Sequence, residues 1–335
     1  VTIASSRGLS VSPLPTGHSN AETAAVATGS SRISFYNINI VNTDNLDGAE
    51  ANYVTLAASI YGNDIGFYAC SFNGWQDTLL NGATAGYQYY ESCYIGGAID
   101  FIWGYSKAYF KGCTIGAKRA SSAITAHSRS SLSAVGGYIF DQCLFTAAPD
   151  ATVDLTGRVY LGRPYSQYAL VVIKNSWIDS TINPSGWKIW SATDPRTDHI
   201  TFAEYNNSGP SNWESNTAAR TAFQYATLLS ADTYSLSTTM DSTSWIDMTY
   251  WDSIVTPQPI VSTPSAGNVT VSGSSAYNGT VPPAGSLIVS QKPLDGQTVY
   301  PTIQEALSAA PASSKTNATI FIYPYVLFKL TVQCT

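Results

Sequence analysis

The chain has 335 residues, only 11% of them charged, a net charge of −6, and 22 Tyr and 8 Trp. That length suits one large domain or two small ones. A weakly charged, acidic surface excludes the basic patch that nucleic acid or anionic lipid would require. No run of about 18 apolar residues occurs, so no membrane span is predicted.

No secretory leader is legible ahead of Val1, so the sequence reads as the mature form of a secreted, extracellular protein. N-x-[ST] sequons at Asn206, Asn268, Asn278 and Asn317 favour the same compartment. The five Cys are an odd number, so at least one lacks an intramolecular partner.

From residue 34 onward a short β-rich phrase recurs. It reads Ser-Phe-Tyr-Asn-Ile-Asn-Ile (34–40), Gly-Phe-Tyr-Ala-Cys-Ser-Phe (66–72) and Tyr-Tyr-Glu-Ser-Cys-Tyr-Ile (89–95). It continues as Tyr-Phe-Lys-Gly-Cys-Thr-Ile (109–115), Ile-Phe-Asp-Gln-Cys-Leu-Phe (139–145) and Val-Ile-Lys-Asn-Ser-Trp-Ile (172–178). Aligned, the phrases put Ile38, Cys70, Cys93, Cys113, Cys143 and Ser176 in one column, spaced by 32, 23, 20, 30 and 33 residues. A strand at a fixed phase of a 20–33-residue period marks a solenoid. The strands are short, β-branched and aromatic, with turns of variable length between them, as in an all-β parallel β-helix. A Cys in the column is first of all a small buried residue. A disulfide between neighbouring rungs is the alternative that a strand spacing of ~4.8 Å would permit. No metal site is predicted, because no His accompanies the Cys column and no CxxC occurs.

Residues 1–256 read as the β-helix, and 257–285, rich in Pro, Ser, Gly and Thr, as a linker. Residues 286–335 read as a strand–helix–strand segment, its helix over 302–310 between Pro301 and Pro311. An open solenoid end needs a cap, so this short helix is predicted to cap the same domain.

Asp77 lies seven residues after Cys70, and Asp100 seven after Cys93. On consecutive rungs the two carboxyls would be neighbours, their backbones ~5 Å apart. Such a pair titrates as a unit, one member holding its proton to higher pH. It can supply a nucleophile and an acid/base, or merely satisfy the backbone amides of stacked turns; spacing alone leaves both readings open.

Three phrases narrow the choice. Gly-Trp-Gln-Asp-Thr-Leu (74–79), Asp-Phe-Ile-Trp-Gly (100–104) and Leu-Gly-Arg-Pro-Tyr (161–165) resemble, in order, the pectin methylesterase signatures G-Y-Q-D-T-L, D-F-I-F-G and L-G-R-P-W. Ile-Thr-Ala-His-Ser-Arg (124–129), Pro-Ser-Gly-Trp (184–187) and Phe-Ala-Glu-Tyr-Asn-Asn-Ser-Gly-Pro (202–210) look like further family phrases. The resemblance covers roughly 30–250 and implies a right-handed, single-stranded parallel β-helix, with no cofactor and no metal. It implies hydrolysis of the methyl esters of homogalacturonan to pectate and methanol. Asp100 would match the nucleophile, Asp77 the acid and later base, and Gln76 an oxyanion donor. Arg163 would hold Asp100 ionised. Trp103, Tyr165 and Trp187 are candidates for stacking on sugar rings. The family's second oxyanion Gln, in Q-A-V-A-L, is matched by Asn52 in Asn-Tyr-Val-Thr-Leu (52–56), the same amide on a shorter arm.

A phrase like Tyr-Pro-Thr-Ile-Gln-Glu-Ala-Leu (300–307) stands near the N-terminus in that family, so the chain reads as circularly permuted. Two other readings stay open. Asn42-Thr43-Asp44 resembles a polygalacturonase phrase, but no Asp-Asp, Gly-His-Gly or Arg-Ile-Lys accompanies it, and it is read as a turn. A non-catalytic pectin-binding β-helix would keep Trp103 and Tyr165 and need neither Asp. A monomer is expected.

Overall fold

Parallel strand pairing repeats at the rung spacing along the chain. The computed structural model describes residues 1–10, 15–248, 256–258, 298–300 and 309, together with the backbone of 287–289 and 318–322. Three parallel sheets of seven, six and eleven strands run the length of a right-handed parallel β-helix. One rung shows the pattern: Ile65–Tyr68 lies in the eleven-stranded sheet, Ser71–Asn73 in the seven-stranded and Leu79–Asn81 in the six-stranded sheet. The next rung repeats it with Tyr87–Glu91, Tyr94–Gly97 and Ile102–Gly104.

A single left-handed residue turns the chain between the first two sheets on each rung. These are Asn37, Ala69, Ser92, Gly112, Gln142, Asn175 and Asn206, with φ between 48 and 61°. The first six immediately precede the residues of the repeat column, and Asn206 precedes Asn207. Asn39, Ser71, Tyr94, Thr114, Leu144 and Trp177 pair successively in register, so Ile38, Cys70, Cys93, Cys113, Cys143 and Ser176 stack as the spacing implies. The four Cys are free and buried. Each thiol donates to a carbonyl one rung back: Cys70 to Phe35, Cys93 to Phe67, Cys113 to Tyr90 and Cys143 to Phe110, at 3.4–3.5 Å. The disulfide alternative is not adopted at these four positions. Cys334 lies outside the described residues.

The core is built from like side chains at like register. Phe35, Phe67, Tyr90, Phe110 and Phe140 form a continuous ladder with centroids 4.8, 5.1, 4.7 and 4.4 Å apart and planes within 10°. Stacked pairs of this kind contribute about 0.5–1.5 kcal/mol each beyond their burial. Phe110 sits mid-ladder and is fully buried. Phe110→Ala breaks two stacks and opens a cavity, and is expected to cost about 3–5 kcal/mol, read as a lower urea midpoint by circular dichroism. A loss below 1 kcal/mol would mean that the rungs collapse freely around the gap.

Outside the same sheet, Tyr68, Tyr89 and Tyr109 are covered by Met240, Trp245 and Ile246 from the chain following the last rungs. The helix Thr217–Phe223 is tied to the last rungs through one side chain. Its buried Arg220 donates to Glu204 Oε1 at 2.7 Å and to the carbonyls of Asn183, Pro184 and Ser211. At the opposite end, Ala318–Ile322 pairs parallel with Ile33–Tyr36, followed outward by Leu287–Val289 and Val299–Tyr300. The helix predicted over 302–310, Ala309 excepted, and nearly all of the linker at 257–285 lie outside the described residues.

Candidate active site

The Gly74–Leu79 phrase crosses from the seven-stranded to the six-stranded sheet. A Cβ on Gly74 would stand 2.3 Å from the Thr55 carbonyl oxygen, so only glycine lets the chain pass there. Thr55 Oγ1 accepts from Trp75 N at 2.8 Å and Thr78 Oγ1 donates to Gly96 O at 3.1 Å, tying the crossing to the rungs on either side. Gln76 pairs with Val54 on one rung and Ile99 on the next. Asp77 N donates to Ile99 O at 3.0 Å, and Leu79 pairs with Ile102. Asp77 and Asp100 therefore occupy the same register on adjacent rungs. Both are left-handed, with φ of 63° and 47°, a conformation that short polar side chains tolerate better than most.

Each carboxyl has its own partner. Arg163 donates from Nε to both Asp100 oxygens (2.9 and 3.2 Å) and from a terminal nitrogen to Oδ2 (2.6 Å), a charge-assisted fork. The register explains the reach: Trp103, Ala126 and Arg163 pair in succession, and the small Ala126 leaves Arg163 room to lean back toward Asp100. Asp77 instead receives a neutral donor, Asn20 Nδ2, at 2.7 Å on Oδ2. Trp103 Nε1 donates to the Asp77 carbonyl at 3.2 Å.

Both Asp77 and Asp100 are buried, each residue 6% exposed. Burial pushes each above the usual carboxylate range. Asp77 goes well above it: after burial, the neighbouring Asp100 charge raises it further, while Asn20 and Arg163 pull weakly the other way. For Asp100 the Arg163 hydrogen bonds and charge, with Lys188 behind, oppose the burial. The guanidinium fork thus favours the ionised form of Asp100 against its burial, whereas Asp77, held by a neutral amide beside that charge, keeps its proton the more readily. Gln76 stands beside it, its Oε1 buried without a hydrogen-bond partner among the described residues.

An aromatic wall adjoins the pair. Trp103 meets Tyr165 edge-on at 6.2 Å, and Tyr165 lies 6.2 Å from Tyr105 and 5.6 Å from Trp190. All are partly exposed. The Trp190 ring lies against the guanidinium groups of both Arg163, at 4.0 Å, and Arg196, at 4.4 Å. A shallow depression lined by Tyr105, Tyr165 and Arg196 continues this surface.

One expected site residue is corrected. Trp187 is 1% exposed, stacked on Phe202 at 4.4 Å with its Nε1 donating to the buried Glu204. It belongs to the core and offers no face to a sugar. Asn52 is exposed and stands two positions before Val54, the residue that pairs with Gln76. Conversely, Asn20, Lys188 and Trp190 stand at or near the pair without having been singled out. Asn20 is 57 residues from its partner in sequence, and no spacing signal links them. Among the described residues, no cluster of three His, Cys, Asp or Glu is placed to hold a metal.

A pectinesterase family profile matches residues 9–242. A pectinesterase from Aspergillus niger is 41% identical over 191 residues, 56% of this chain and 56% of its own. One from Aspergillus aculeatus is 37% identical over 219 residues, 64% and 62% of the two chains. The chain thus spans about 56–62% of the length of these two curated relatives. The crystal structure of the pectin methylesterase from Aspergillus niger superposes with a TM-score of 0.63 at 36% identity, covering 75% of this chain and 76% of that one. The pectin methylesterase from carrot, at 24% identity and a TM-score of 0.60 over 69% of each chain, shares the fold.

Proposed function

The chain belongs to the pectinesterase family, and from that premise we propose that it is secreted and hydrolyses the methyl esters of homogalacturonan, with Asp100 as nucleophile and Asp77 as acid and then base. The observation that carries this reading is the division of labour within the pair. One carboxyl is forked by a guanidinium and the other is held by a neutral amide.

An Asp100 oxygen attacks the ester carbonyl carbon, whose oxygen becomes an oxyanion. Gln76 donates its amide there. Collapse expels the methoxy group, which leaves as methanol with the Asp77 proton, and an acyl anhydride remains on Asp100. Asp77, now ionised, takes a proton from water. The resulting hydroxide attacks the acyl carbon, releasing the galacturonate carboxyl and the Asp100 carboxylate and leaving Asp77 protonated. Trp103 and Tyr165 present partly exposed ring faces alongside, suited to sugar rings. Exposed Asn206, at a left-handed turn, is a site where a glycan could be carried. The reading that 286–335 completes the coil of 1–256, as a permuted order implies, is supported by the pairing of Ala318–Ile322 with Ile33–Tyr36.

The test is methanol release from highly methylated homogalacturonan, with polymer length followed in parallel. Methanol at constant chain length supports the esterase. Shortened chains without methanol would identify a depolymerase, and neither product a binding protein. The pH dependence adds a second check. Catalysis needs Asp100 ionised and Asp77 protonated, so kcat/KM is expected to be bell-shaped. Its acid limb should lie above the ordinary carboxylate range, because burial raises Asp100, and its alkaline limb higher still, because Asp77 is raised further. A rate that climbs through one ionisation and never falls would contradict an acid role for Asp77.

A further inference from the structure

Asn20 opens the short 3-10 turn Asn20–Thr23, far in sequence from either catalytic phrase. That turn is fastened to the rung directly before Asp77. Thr23 Oγ1 donates to the Asn20 carbonyl at 2.9 Å and accepts from Leu56 N at 3.0 Å. Asn42 is fully buried and donates through Nδ2 to the carbonyls of Thr23 at 2.9 Å and Leu56 at 3.1 Å. Beyond Leu56, Ala57 N donates to Thr78 O at 2.8 Å, which reaches the residue after Asp77. Asn42, first of the Asn-Thr-Asp phrase that reads as a mere turn, thus holds a chain of polar contacts that ends on the Asp77 carboxyl.

We propose that Asn20 is a positioning residue for Asp77: its amide holds Oδ2 and so leaves Oδ1 as the oxygen that carries the proton given to methanol. Oδ2, as the acceptor of the Asn20 hydrogen bond, is the poorer site for that proton, and a fixed carboxyl presents the other oxygen in one orientation. Asn20 Oδ1 is buried with no hydrogen-bond partner among the described residues, so the side-chain bond this amide makes there is the one to Asp77. This amide commits its donor to the reacting pair and leaves its own oxygen unmet.

The inference rests on the esterase reading, and the test separates the two. Asn20→Ala, Asn20→Asp and wild type are compared in methanol release from methylated homogalacturonan across pH, with melting followed by circular dichroism. Removing a hydrogen bond to an ionisable group is expected to lower kcat about 10- to 100-fold, with KM within about twofold of wild type. The donor favours ionised Asp77, so its loss moves the alkaline limb of kcat/KM to higher pH and leaves the acid limb, set by Asp100, in place. Asn20→Asp, of the same shape, moves the alkaline limb further the same way, because a second carboxylate then faces Asp77. It also keeps the test readable should the Ala variant not fold. Wild-type kcat and limbs in the variants would overturn the inference and leave the esterase intact. So would a loss of activity that tracks a fall in melting temperature with both limbs unmoved. A wild type that releases no methanol would overturn both.

Discussion

Asp100→Asn is expected to lower methanol release by roughly 10³-fold or more, while the protein still folds and still binds pectin. In the proposed mechanism Asp100 supplies the attacking oxygen, and an amide in its place is a poor nucleophile that carries no charge for Arg163 to hold. Asn is the cleaner replacement for a physical reason. Asp100 sits at φ 47°, where Asn is at ease and Ala pays about 1–2 kcal/mol. Ala would also leave the Arg163 fork without any acceptor, whereas the Asn carbonyl retains one. Asp100→Ala is therefore expected to be equally inactive but less stable, and the pair of variants separates chemistry from folding. Methanol release at the wild-type rate from Asp100→Asn would refute its role as nucleophile.

Asp77→Asn is expected to lower kcat/KM by about 10²- to 10⁴-fold and, unusually for a buried-site change, to stabilise the fold as pH rises. The sign follows from the raised carboxyl. Asp77 has a folded-state pKa well above its ordinary value. Its contribution to stability is complete below the unfolded value of 3.8 and is lost as pH rises through the folded one. Above that point the native state holds a buried carboxylate next to Asp100, and the amide removes this burden while its oxygen can still accept from Asn20. Melting temperatures of the two proteins should be close at acid pH and diverge in favour of the variant toward alkaline pH. A variant less stable at every pH, or one that keeps its activity, would contradict the assignment. Lost activity coupled to gained stability is the signature of a group held in place for chemistry.

The residues differ in how much of their role could be read beforehand. The Cys column was legible because a β-helix repeats side-chain size at fixed phase, and six phrases carry that repeat. The Asp77–Asp100 register then followed by counting, since equal offsets from one column mean equal places on adjacent rungs. Arg163 could be named from its phrase, but its fork onto Asp100 depends on Ala126 being small on the rung between them. Trp187 shows the opposite case. An indole suits a sugar or a core equally well, and only the packing of Phe202 and Glu204 around it decides which.

What the amino-acid order determined by itself is the coil, its repeat column and the adjacency of two carboxyls, because each of these is periodic and period is a property of sequence. Tertiary structure alone decided which amide meets Asp77, which aromatic rings stay partly open and which is buried. Those outcomes depend on how turns of unequal length fold back against rungs laid down dozens of residues away, and no local pattern records that distance.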